Sequence, residues 1–554
     1  MTERRRWASA ALLAGLVVAV VRRWVSWGRD EYSIWPDEPA QLAIARFVGG
    51  GTRWNMDDHS VWRPLFGTLL APAHWFTDDP VTVLHVALVL NAVLGGLAAV
   101  VFVYLARRLT PLTPWWSAAA VVVVLLAPAT LFTAEFVFAE SLVGVLFLAT
   151  LLALMRFHEA PSAARGAIAA AAAATAFGAH SRMLPLTVVV VAAVGLAAYR
   201  RRLSVPAAAV VGAVAVVAVV VVEGYTAYVV DQLWDQPSTR NSPVGVLEQL
   251  GTGAPVLVSL IGQVWYQLVA TLGVVVYGVV VLTRRARTLP GDRLAGDARV
   301  VLLATAACVA LSVVFMADRW RSDQLVYGRY NDAVVGPLVL VGLAVLFGSI
   351  PMQRLVRLAV STAAATLGLG AVLWVLRRNL FEDSNGLEPM ILGLQPFVST
   401  STSIDVIGIS IWAGAITVGL AGLAVITRRG EHPRPAVVLA AVVALVAVGA
   451  SRTSTIIDRD WDDAGNLSAV QQLRSGPLTD GVPVDFHLAP GSTATNRMML
   501  YQFYLPHTEF TVVNGPDDVT SPLVFARLDA EVFRDQPVRL IWVDPRGSYG
   551  LYRR

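Results

Sequence analysis

Lysine is absent from the 554 residues, so all 43 basic side chains are Arg. We read this as the coding bias of a GC-rich genome rather than a device. Cysteine occurs once, as Cys308 inside an apolar run, which excludes a disulfide within the chain and suits an inert buried thiol. Charge is scarce, at 15% of residues with a net of +4, and the Arg residues sit in short loops between apolar runs. That is a topology signal and excludes a nucleic-acid footprint. No glycine-rich phosphate loop is present, nor an internal repeat of the kind that marks inverted-repeat transporters. What the chain has in excess is apolar surface: 56% hydrophobic residues, too many for a soluble protein of this length.

A spanning helix needs roughly 20 mostly apolar residues. Such runs fall at 8–26, 81–106, 114–133, 136–155, 164–180, 184–199, 205–222, 255–282, 299–317, 333–350, 357–376, 403–427 and 435–450. The spacing predicts a mainly α polytopic membrane protein with about thirteen spans. The first run follows Arg4, Arg5 and Arg6 and lacks a small-residue cleavage site, so it reads as an uncleaved span rather than a signal peptide. With the N-terminus in the cytoplasm, six inner loops carry Arg107/Arg108, Arg156/Arg165, Arg200 to Arg202, Arg284/Arg285/Arg287, Arg354/Arg357 and Arg428/Arg429/Arg434. The opposite loops are longer, acidic and aromatic, as the positive-inside rule requires. Mid-span Gly and Pro breaks and mid-bilayer charges, the marks of a transporter, are few. Residues 1–450 then form the membrane domain, and 451–554 a small periplasmic α/β domain. The latter has strand-like runs at 482–488, 510–513, 523–526 and 538–543 and helix-like stretches at 464–473 and 498–503. It follows the last span without a long linker and is expected to sit over the mouth of the membrane domain.

The first outer loop, 27–80, reads as ordered. Asp37-Glu38-Pro39 opens an apolar stretch to Val48 before three glycines, the pattern of a capped helix with an early Pro and a glycine stop. Trp62 to Phe76 has the composition of a helix lying in the interface plane. Polar groups gathered on the outer face are the candidates for chemistry. Asp37 and Glu38 serve either as a helix cap or as a general base or metal ligand. Asp58 and His59 are solvated loop residues or substrate contacts. Glu135 and Glu140 flank a tight turn, where a buried carboxylate needs a partner or a wet cavity. His180, Arg182, Arg329 and Tyr330 lie at outer turns, and Arg63 opens the interfacial stretch. Arg on the outer face runs against the charge bias; it either grips a phosphate or snorkels to lipid headgroups.

In their order the acidic motif after span one, the ordered first loop, His59-Ser-Val-Trp-Arg-Pro-Leu-Phe66, Glu140 opening span four and Arg329-Tyr330 before a late span resemble the C-type glycosyltransferases. The likeness is greatest to the protein O-mannosyltransferase and aminoarabinose-transferase branch. It departs from that branch at Arg63 and in having no Lys. The resemblance implies an enzyme of the bacterial cytoplasmic membrane that transfers a sugar from a polyprenyl-phosphate donor to an envelope glycan, lipid or protein. It implies Asp37, with Glu38, as the catalytic acidic pair and Asp37 and Glu140 as ligands of a divalent cation such as Mg, Mn or Ca. Arg329, Tyr330, Arg182, His180 and Arg63 would hold the donor phosphate, and Asp58, His59, Glu135 and Glu140 would contact substrate. The rival readings are a polysaccharide or lipid flippase and a non-catalytic envelope assembly protein. Neither sugar, acceptor nor linkage is legible.

Overall fold

A computed structural model of the protein describes residues 2–30, 37–56, 61–234, 253–288, 292–317, 321–382, 391–398, 403–428, 434–464, 481–487, 494–528, 538–544 and 549–554. Asp58 and His59 lie outside the described residues. Among those described, ten helices are long and apolar enough to cross a membrane, and twelve spans result if each of two bent helix pairs counts as one. The shorter helix Ala163–Ala179 accounts for the thirteenth apolar run. The chain is a polytopic, mainly helical membrane protein with a small sheet domain at its C-terminal end.

The helices begin where capping chemistry dictates. Asp79 accepts from the Thr82 amide ahead of Pro80–Leu109, Ser162 from Arg165 ahead of Ala163–Ala179, and Ser204 from Ala207 ahead of Val205–Leu233. The first helix, Glu3–Val25, packs along Pro80–Leu109 at a glycine pair. A Cβ on Gly15 would stand 2.9 Å from the Gly96 carbonyl oxygen, and one on Gly96 2.8 Å from that of Gly15. Close backbone approach through small residues is how helices gain packing energy in lipid. At one end of the bundle the expected inner loops meet. Arg108 forks onto Asp297 at 2.9 and 3.0 Å, Arg202 donates to the His158 carbonyl at 3.0 Å, and Arg428 donates to the Ile350 carbonyl at 2.9 Å.

Two runs that read as single spans are broken. The helix from Pro114 stops at Leu125 and resumes at Pro128 with a 73° bend, because Pro cannot continue a helix and holds Ala127 in extended conformation. Ala254–Ala270 and Val274–Ala286 meet at 106° around Gly273, whose φ of +72° suits a left-handed helix stop; its amide donates to the Leu268 carbonyl at 2.7 Å. Mid-span breaks are therefore more prominent than the sequence suggests. The last long helix runs from Pro435 to Ala464, beyond the end of its apolar run.

In the tail, β1 (Val484–His487), β2 (Phe510–Val513), β3 (Leu523–Arg527), β4 (Arg539–Val543) and β5 (Tyr549–Arg553) form one mixed sheet in the order β2-β1-β3-β5-β4. The first three are parallel, and β5 runs antiparallel to both neighbours. The helix Ala494–Tyr504 packs Tyr501 against Phe525 at 4.4 Å and also reaches the first loop of the membrane domain. The fifth strand, Tyr-Gly-Leu-Tyr-Arg, escaped the sequence reading, which found four.

Candidate functional site

The site forms at the tail-bearing end of the bundle, where the first loop, the turn before Glu140, the turn at His180 and the segment before Arg329 converge. Helix Asp37–Val48 begins at Asp37 itself. Its carboxylate reaches across the bundle: Oδ2 accepts from Arg329 Nη1, and Oδ1 accepts from the Trp62 indole at 2.8 Å. Arg329 Nε donates in turn to Glu140 Oε1. One guanidinium thus joins two carboxylates from separate N-terminal elements, and its carbon lies 3.7 Å from the centre of the Phe138 ring. Asp37 is not simply a cap.

Glu38 takes a separate course. It is fully buried, with Oε1 accepting from the Val137 amide at 2.6 Å and Oε2 paired with Arg29 at 2.7 Å. It ties the start of its helix to the turn ahead of Glu140 and does not join Asp37 as an acidic pair. Glu135 is buried in the short helix Phe132–Glu135.

Arg182 stands next to this cluster but outside its ion pairs. Its guanidinium carbon lies 3.0 Å from the centre of the Tyr330 ring and 4.2 Å from that of Phe315. Arg182 is 3% exposed, and among the described residues no acceptor meets its Nε or Nη1. His180 fixes the turn: its Nδ1 accepts the Arg182 amide at 3.2 Å, and its ring meets Tyr330 edge-on at 4.9 Å. Tyr330 therefore carries Arg182 on its face and His180 at its edge. Arg63 is engaged elsewhere: it pairs with Glu223 at 2.8 Å, donates to Thr226 at 3.2 Å and stacks on Phe177 at 4.0 Å. Arg329, read in sequence as a phosphate grip, uses its fork on the protein's own carboxylates.

The residues that hold Arg329 in place were missed in sequence. Asp332, one turn on, accepts from Tyr266 Oη at 2.8 Å and Gln267 Nε2 at 2.9 Å, and Asn331 donates to Gln263 Oε1 at 2.8 Å. A Cβ on Gly328 would stand 1.7 Å from Tyr266 Cζ, so glycine there is what lets the ring pass. Arg22 of the first helix donates to Ser141 Oγ at 3.0 Å and to the Thr130 carbonyl, fixing the residue beside Glu140. A small cavity beside the ion pairs is lined by Arg22, Glu140, Arg329 and Asp332. The available signal was a polar residue within an apolar run, costly in lipid unless satisfied.

A divalent cation finds no ready seat here. Asp37 and Glu140 converge, but on a guanidinium, and among the described residues no three His, Cys, Asp or Glu side chains converge. The expected cation does not fit this donor set.

The fold and this arrangement define a multi-pass membrane protein with the C-type glycosyltransferase fold. No protein-family model matches the sequence, and no curated protein matches it. Among solved structures the chain is similar to ArnT from Cupriavidus metallidurans, both bound to undecaprenyl phosphate and in the apo state. Each aligns with a TM-score of 0.53 and 15% identity, covering 98% of this chain and 97% or 98% of that one. Arabinosyltransferase EmbB from Mycobacterium smegmatis aligns at 0.41 and 15% identity over 79% of this chain and 41% of its own. At these identities the likeness is one of fold.

Proposed function

We propose that this protein is a glycosyltransferase of the bacterial cytoplasmic membrane, taking a sugar from a polyprenyl-phosphate donor and passing it to an envelope glycan, lipid or protein on the outer face. The observation that carries the reading is the pairing of two unlike centres around Tyr330. One is a carboxylate, Asp37, oriented by Arg329 and Trp62. The other is a buried guanidinium, Arg182, with unmatched donors. A phosphate monoanion satisfies those donors with charge-assisted hydrogen bonds, and ArnT, of the same fold, was crystallised with undecaprenyl phosphate.

The chemistry follows from the two centres. The bond between the sugar's anomeric carbon and the phosphate oxygen breaks, and its electron pair leaves with the phosphate, where Arg182 matches the growing charge. The acceptor hydroxyl forms the new bond to the anomeric carbon and gives its proton to Asp37. Arg329 fixes the direction of that carboxylate, and Glu140 holds Arg329 from the other side.

Two bent helices and the buried Arg22 and Asp332 are features that a lipid or polysaccharide transporter would also have. Detergent separates the readings, because transport needs two compartments and transfer does not. Purified protein in detergent is offered a panel of radiolabelled polyprenyl-phosphate sugars with envelope extract as acceptor. Transfer of label by wild type, lost in Asp37→Asn, is the expected result. No consumption of any donor, together with lipid movement in sealed vesicles, would establish the transporter instead.

A further inference from the structure

The small cavity beside the ion pairs is bounded by charge. Its lining includes two guanidinium groups, Arg22 and Arg329, and two carboxyl groups, Glu140 and Asp332, none more than 6% exposed. Two of the four are incompletely bonded. Arg22 spends Nη1 on Ser141 Oγ at 3.0 Å and Nη2 on the Thr130 carbonyl, while its Nε meets no acceptor among the described residues. Glu140 gives Oε1 to Arg329, while its Oε2 meets no donor among the described residues. Asp332, by contrast, is matched by Tyr266 and Gln267. One spare donor and one spare acceptor thus border the same space. Buried polar atoms within a membrane bundle are costly unless they are bonded or wetted. The stem of Arg22 reaches in over Gly95, where a Cβ would stand 2.5 Å from its Cδ. The cavity measures about 50 Å³, room for roughly three waters.

We propose that this cavity is a water site, in which water accepts from Arg22 Nε and donates to Glu140 Oε2. The lining selects water over the alternatives. Its two positive and two negative groups balance, so an ion of either sign would leave an excess. An apolar occupant would leave both spare groups unbonded. Water carries a donor and an acceptor in one small molecule and meets both. Held in this way, the far side of Glu140 cannot turn from the side that grips Arg329, and Arg329 in turn aims the Asp37 carboxylate. Losing the water therefore widens the range of Asp37 orientations. Errors of this kind lower the rate constant more than donor binding, because the donor phosphate is held by Arg182 on other elements. The effect on turnover rests on the glycosyltransferase reading; the water site rests on geometry alone.

The test uses the full-length protein and the glycine in the cavity wall. Gly144 lines the cavity, and a Cβ there meets no atom within 4 Å. A long side chain on a helix lies back over the preceding turn, so Gly144→Leu covers Glu140 and Ser141 and expels the water. Gly144→Ser adds little volume and a hydroxyl that retains it. X-ray radiolysis, read by mass spectrometry, oxidises side chains that lie beside bound water. Phe102 and Leu148 line the cavity at 1% and 3% exposed; Phe147 and Leu151, both 0% exposed, do not. In wild type and Gly144→Ser the first pair is oxidised several-fold faster than the second, and in Gly144→Leu that difference disappears. Gly144→Leu also melts lower and loses about tenfold in kcat at unchanged donor KM, the worth of one hydrogen bond to a charged group. In a dry cavity the same substitution gains apolar burial and a better helix former, and melts higher. Equal oxidation of the two pairs in wild type, or a higher melting temperature of Gly144→Leu with unchanged kcat, overturns the proposal. If Gly144→Leu does not fold, oxidation of the wild type decides by itself. If the wild type transfers no sugar from any donor, the glycosyltransferase reading fails, while oxidation and melting still decide the water site.

Discussion

Arg329 and Arg182 are both buried, both stand at the tail-bearing end of the bundle and both lie against Tyr330, yet their surroundings are opposite. Arg329 meets two carboxylates, Asp37 and Glu140. Arg182 meets aromatic faces and, among the described residues, no acceptor for two of its nitrogens. A buried charge needs compensation. Two carboxylates contact Arg329 and, among the described residues, none contacts Arg182, so the proposed function places the donor phosphate at Arg182, whose donors are the unmatched ones. On the proposed function the comparison separates a residue that builds the site from one that binds the donor, a distinction that sequence alone could not make because both read as outer-face arginines.

The largest effect is expected from Asp37→Asn. It removes one of two carboxylates from Arg329 and leaves a matched Arg329–Glu140 pair, so the protein should melt within a few degrees of wild type. Turnover should fall roughly 10²–10⁴-fold, the usual worth of a positioned base. Radiolabel transfer and a melting curve on the same preparation check both halves. Wild-type turnover would leave the carboxylate without a catalytic role.

The next two substitutions are chosen to break the comparison itself. Arg329→Met abandons the buried Glu140 and the half-buried Asp37 carboxylates and should cost about 3–5 kcal/mol of stability, the price of removing one partner of a buried ion pair. Arg182→Met abandons nothing charged and gains apolar burial, so its melting temperature should hold or rise while donor affinity collapses. Arg182→Lys keeps the charge but loses the planar fork; donor binding should weaken by about 1.5–3 kcal/mol, one charge-assisted hydrogen bond. Equal destabilisation by Arg329→Met and Arg182→Met in chemical denaturation would show that the two arginines do the same structural work.

The spans were readable because the bilayer imposes length and composition on each: the thirteen apolar runs all became helical, two of them as bent pairs. The gathering of Asp37, Glu140, His180, Arg182, Arg329 and Tyr330 was legible as a set of residues that membrane segments do not carry without reason. Their pairing was not. Arg329 lies 292 residues from Asp37 and 189 from Glu140, and no local pattern encodes which carboxylate an arginine will meet across a helix bundle. Glu38 and Arg63 were read as site residues for their charge on the outer face, and sequence did not show their partners. One turned to Arg29 and Val137 and the other to Glu223.

His74 extends the comparison to a third way of burying a titratable group, which is to keep it neutral. It sits in the short helix Ala71–Trp75 beneath the turn at Gly49, and among the described residues neither ring nitrogen has a hydrogen-bond partner. Burial pushes its pKa from 6.5 down to about 4, with Arg46 adding to the shift and Asp78 opposing it. The native state therefore favours the uncharged ring. A lowered histidine pKa gives stability that is complete above 6.5 and is lost as pH falls from 6.5 through about 4, because the unfolded chain takes up the proton first. Protonation would also set a cation beside Arg46, whose guanidinium donates to Pro506 of the tail at 2.6 Å. The expected consequence is a modest fall in melting temperature between about pH 7 and about pH 4.5, a range over which the unfolded chain takes up the proton while the native ring stays neutral. His74→Phe should reduce that fall while leaving the pH 7 value nearly unchanged. An identical pH dependence in the variant would leave His74 without a part in the acid sensitivity and its seat without a role in holding the tail to the loop.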